Sequence, residues 1–156
     1  MKFMIVVQLL GIVVLAQSVS YAQPDEKPIQ QLVSSFVSAW NQHDVHLFAE
    51  CFAEDADFTN VRGIGAHGRA AIEQFHAPVF ETIFKQSHQT ATEVRIRFIS
   101  PDIASVDVRW ELTGSTDRDG TPIPLRTGLL NWLVTRRDGR WLITVMHNQD
   151  LPPRKE

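Results

Sequence analysis

Imidazole is the side chain whose ordinary pKa suits proton transfer near neutral pH, and two of the six histidines lie in apolar patterns that would carry them inward. His76 shares a helical stripe with Ile72, Val79 and Phe80, while His147 shares strand parity with Trp141, Ile143 and Val145. Facing each other across a pocket, the two could run acid and base chemistry without a cofactor. Taken singly, each also fits a hydrogen-bonded core residue. Trp40, Phe58, Phe80, Trp110 and Trp132 are candidates for an aromatic lining, and core packing is the competing account of any one of them. Asn131 interrupts the apolar run 129–134, so its amide must find a ligand or a buried network.

Other chemistries find less support. Asp107 and Arg109 share one strand face with Arg97 opposite, which reads as a solvated cross-strand ladder unless that face turns inward. Among the histidines only His43 and His46 stand at close spacing, and no second cysteine exists, so no metal site is expected. Gly63 and Gly65 follow a strand without dinucleotide spacing, and no nucleophile elbow occurs, so no cofactor is expected. Cys51 falls on the apolar side of a predicted helix, where a thiol acts as a small hydrophobe. A net charge of -3 with fifteen scattered Lys and Arg gives no footprint for nucleic acid.

The elements that must position these residues follow in order. Residues 1–22 combine Lys2, an apolar run from Phe3 to Ala16 and a small-residue end at Ser20 and Ala22, the pattern of a cleaved signal peptide. Export to a periplasmic or extracellular space is therefore expected, with no membrane attachment after cleavage. Residues 23–27 read as a linker, 28–151 as one domain and 152–156 as a tail. Pro28 suits a first helical turn, and Ile29, Leu32, Val33, Phe36, Val37 and Trp40 form a one-sided stripe. Asp44 reads as the N-cap of a short helix burying Val45, Phe48, Cys51 and Phe52. A short strand covers 56–60, a glycine turn 63–68, and a helix 69–85 that Pro78 should kink or end. From His88 the period changes to two, giving long antiparallel strands and a last hairpin around Asp138-Gly139.

The run Ala39-Trp40-Asn41 with Asp44, then residues 52–58, then Gly63, Gly68-Arg69, Ile72 and His76, resembles the nuclear transport factor 2-like superfamily. It is similar to the SnoaL-like, SgcJ/EcaC-type group, as is the closing Asp138-Gly139-Arg140-Trp141-Leu142-Ile143 with His147-Asn148. The resemblance implies an α+β, cone-shaped fold in which three N-terminal helices pack on a curved antiparallel sheet over a deep apolar pocket, usually as a homodimer. It does not fix chemistry, since this scaffold hosts several. Ketosteroid isomerases pair a carboxylate base with a tyrosine hydroxyl and a protonated acid. Here the base position falls at Asn60 and the tyrosine position at Phe36, so that mechanism lacks its parts, and Asn60 is left as a pocket amide. Asp57, the nearest other carboxylate, lies on the opposite strand face.

The expected function is an exported domain whose cone takes a small apolar or aromatic molecule, by binding alone or with cofactor-free chemistry at His76 and His147. Trp40, Phe58, Asn60, Phe80, Trp110 and Asn131 are the expected ligand contacts. A non-catalytic binding or dimerisation module, or an epoxide hydrolase-like enzyme using Asp107 and Arg109, are the alternatives.

Overall fold

The computed structural model describes residues 25–152. The expected signal peptide, the first two linker residues and the tail from residue 153 lie outside the described residues. Pro28 stands in the first turn of α1 (Lys27–Gln42), where its missing N–H has no helical partner to lose. Ile29, Leu32, Val33, Phe36 and Ala39 are the buried stripe of that helix, and His43 ends it in the left-handed region at φ 55°. Asp44 caps α2 (Val45–Ala49), its carboxylate accepting the Leu47 N–H at 2.9 Å. That helix is shorter than its apolar spacing predicts, because Phe52 already belongs to β1 (Phe52–Thr59).

After β2 (Gly65–His67), α3 (Arg69–Glu81) runs one turn past Pro78 before it stops at Thr82. The chain then lays down β3 (His88–Ser100), β4 (Ile103–Thr113), β5 (Arg126–Arg137) and β6 (Arg140–Leu151) as successive antiparallel neighbours. The last hairpin turns on Asp138 and Gly139, both at positive φ, which is why Asp-Gly signals this turn. The six strands are ordered β2-β1-β6-β5-β4-β3.

One expectation changes here. The sheet is mixed rather than antiparallel, because β1 lies parallel to β6. The three helices, two of them long, come in the expected order, with β1 and β2 between α2 and α3.

One sheet face packs on the helices. Phe36 meets Phe48 at 4.8 Å and Trp132 at 5.0 Å between ring centroids, joining α1, α2 and β5. Val106, Val108, Trp110 and Leu112 reach the same core from β4. Each such fully buried side chain contributes about 1.5–3 kcal/mol relative to exposure. β3 forms one sheet edge and its outer residues are largely exposed.

Candidate functional site

The helix-covered face does not close completely. Between α1, α3 and the inner face of β4, β5 and β6 lies a cavity of about 840 Å³, walled by Phe36, Trp40, Phe58, Phe75, Trp110 and Leu130. Exposed Arg62, Asp117 and Arg118 mark its mouth. Trp40 is held there by its indole N–H, which donates to the Ser87 hydroxyl at 3.1 Å, and by Phe80 edge-on at 5.0 Å. Trp110 lies across β5 because residue 128 is glycine: a Cβ there would overlap the indole and sit 2.5 Å from the Gln149 carbonyl oxygen. Its N–H donates to Asn148 Oδ1 at 3.0 Å, and the Arg126 guanidinium, ion-paired to Asp150 at 2.7 Å, sits 5.6 Å from the ring centroid.

His76 is the ionisable group deepest in this wall, 4% exposed and ringed by Phe48 at 4.6 Å, Phe58 at 4.7 Å and Phe75 at 5.2 Å. Its Nδ1 bonds the Ile72 carbonyl oxygen at 2.8 Å. A carbonyl only accepts, so Nδ1 carries the proton and Nε2 of the neutral ring is an acceptor. Burial pushes the imidazole pKa down to about 4, against the smaller upward effect of the Ile72 bond. The ring is therefore neutral at physiological pH, a ready hydrogen-bond acceptor and a weak base.

The other expected site residues divide by sheet face. Trp40, Phe58, Asn60 and Trp110 line the cavity. Asn60 does so with its oxygen already engaged, accepting the N–H of Arg62 at 2.8 Å and of Ile64 at 3.0 Å, so it shapes the mouth. Phe80 stands behind the wall, packed on Trp40, Phe48 and His76.

His147 and Asn131 are exposed cross-strand partners on the outer face, so the expected His76 and His147 pair does not form. The reason is a bulge: Leu133 pairs Val145 while Val134 pairs Ile143, leaving Thr144 as an extra residue that reverses the parity of β6. Trp141 and Ile143 point inward as their alternation predicts, but beyond the bulge Met146 is buried and Asn148 and Asp150 join the cavity wall.

Asn131 lies outward between half-buried Leu129 and Leu133, with its amide donating to Asp107 at 2.7 Å. Arg109 pairs with Glu93 at 3.2 Å on that same outer face, so the epoxide hydrolase-like array is turned away from the cavity. Asp57 is exposed and paired with His67 at 2.7 Å. Cys51 is buried, and burial pushes its thiol up to about 12, which leaves little thiolate at neutral pH. Among the described residues no His, Cys, Asp and Glu group has the geometry of a metal site.

Sequence patterning missed Gln89 and Asn148. Gln89 is 5% exposed, lines the cavity, and leaves its side-chain Oε1 buried without a hydrogen-bond partner among the described residues. No periodic signal marks it, because it sits at the polar start of an edge strand. Asn148 would follow from the parity of Met146, had the bulge been visible.

The SnoaL-like domain matches residues 23–147 of this chain. A Caulobacter vibrioides protein with a cystatin-like fold is 31% identical over 81% of this chain and 89% of its own, with a TM-score of 0.75. A Nostoc punctiforme domain with the same fold is 28% identical over 85% and 80%, at 0.72. LinA, 20% identical over 81% of this chain and 86% of its own, shares the fold at a TM-score of 0.74. No curated protein matches the chain. The extent of the domain match and the identity to the Caulobacter protein place this chain in the SnoaL-like domain family of the nuclear transport factor 2-like superfamily.

Proposed function

We propose that this protein holds a small apolar or aromatic molecule in the cavity between its helices and its sheet. The observation that carries the reading is the cavity itself: about 840 Å³, walled by Phe36, Trp40, Phe58 and Trp110 with a few polar groups set among them. Ligand sites commonly enclose roughly 300–1,000 Å³ behind such apolar walls. Turnover is the weaker half of the expectation. His76 has lost His147 as a partner, and a base with a pKa near 4 takes protons poorly at neutral pH.

The protein is proposed to work after export, on the strength of its basic start and apolar run. Homodimerisation would use the outer sheet face, where Leu129, Leu133 and Val145 stand half-buried among the polar residues. Membership of the SgcJ/EcaC-type group rests on the Asp138-Gly139-Arg140-Trp141 hairpin and the strand that follows.

Native mass spectrometry of protein purified from its own compartment tests the binding reading. A retained organic molecule, lost when Leu130→Trp fills the cavity, is expected. Bare protein that also takes up no added aromatic compound would overturn it.

A further inference from the structure

Gln89 at the start of β3 and His76 on α3 reach the same cavity, and both are more than nine-tenths buried. The backbone of Gln89 is pinned: its N–H donates to Asn41 Oδ1 at 2.7 Å and its carbonyl accepts from Asn41 Nδ2 at 2.9 Å. The side-chain Oε1 has no such partner among the described residues. On His76 the Nδ1–H is committed to the Ile72 carbonyl, so Nε2 is a second acceptor with no donor among the described residues. Native interiors seldom leave a polar atom buried and unpartnered as Gln89 Oε1 is, and a purely hydrocarbon guest would also seal His76 Nε2, which borders the cavity, from any donor.

We propose that the guest is a neutral molecule with a ring-shaped apolar body and at least one hydroxyl or N–H group that donates to His76 Nε2, or to Gln89 Oε1 once that amide turns toward the cavity. The assignment rests on the binding reading above and narrows it. Carboxylates and phosphates are disfavoured at this inner position, because their oxygens would meet acceptors with no proton between them. The apolar body would lie against Trp110 and Phe58, which share the wall with both acceptors.

Calorimetric titration at pH 7 with 2-naphthol, 2-methoxynaphthalene and naphthalene is the test, since the three share a body and only the first offers a donor. The naphthol is expected to bind about tenfold more tightly than its ether, the scale of one well-made hydrogen bond. Gln89→Met or His76→Phe should narrow that ratio to less than about twofold, with circular dichroism checking that each variant is folded. Equal affinity for naphthol and ether in the unaltered protein overturns the donor assignment and leaves the binding reading standing. A tenfold preference that survives both folded variants also overturns it, and binding of none of the three removes both. The comparison in the unaltered protein decides the matter if neither variant folds.

Discussion

His76 gives its Nδ1–H to the carbonyl oxygen of Ile72, 2.8 Å away and one turn earlier on the same helix. That bond fixes the tautomer of the neutral ring, while the surrounding phenylalanines disfavour the imidazolium and hold the pKa near 4.

A stability effect follows from the low pKa of His76. The unfolded chain regains an ordinary histidine pKa near 6.5, so as pH falls it takes up the proton before the folded protein does. The contribution is complete above about pH 6.5, is lost as pH drops toward 4, and amounts to roughly 3 kcal/mol across that window. Urea unfolding at pH 7 and pH 4.5 should show the unaltered protein losing about 2 kcal/mol more than His76→Phe. Equal losses would mean that His76 is not buried in its neutral form.

Asn41 joins the end of α1 to the start of β3 through two hydrogen bonds to the Gln89 backbone. Asn41→Leu leaves that N–H and carbonyl unpaired in a half-buried position and is expected to cost about 1–3 kcal/mol in urea unfolding. Binding should weaken with it, because Gln89 loses its anchor. A stable variant with full affinity would show the clamp to be incidental.

Gly128 makes room for the Trp110 indole. Gly128→Ala should therefore destabilise the fold by about 1–3 kcal/mol and break the Trp110 to Asn148 bond, visible as a shifted indole N–H resonance. An unshifted resonance at unchanged stability would contradict this packing.

His147 and Asn131 face away from the cavity. His147→Ala and Asn131→Ala are expected to leave ligand affinity unchanged, while stability moves by no more than about 0.5 kcal/mol at His147. A tenfold loss of affinity in either would place the ligand on the other face.

The elements were legible where one periodicity ran unbroken. The α1 stripe, the Asp44 cap, the β4 alternation and the Asp138-Gly139 turn all follow from residue spacing. What spacing does not carry is a change of phase. The extra residue at Thr144 sends His147 outward and Asn148 inward, and it is specified by pairing between strands rather than by any residue in β6 alone. Outward Leu129 and Leu133 hid the alternation around Asn131 by making β5 look apolar on both faces. Gln89 carries no pattern at all, since its burial comes from the end of a helix 48 residues earlier in the chain. The parallel pairing of β1 with β6 is likewise a long-range contact with no local signature.

The most direct test of the central claim is a two-dimensional nitrogen-proton NMR titration of the tryptophan indoles with 2-naphthol. Trp40 and Trp110 line the cavity, whereas Trp141 packs on Phe98 elsewhere in the sheet. Saturable shifts of the Trp40 and Trp110 signals, with Trp141 unmoved, are the expected result. No saturable shift at either cavity tryptophan, or an equal response at Trp141, would contradict a ligand held between the helices and the sheet.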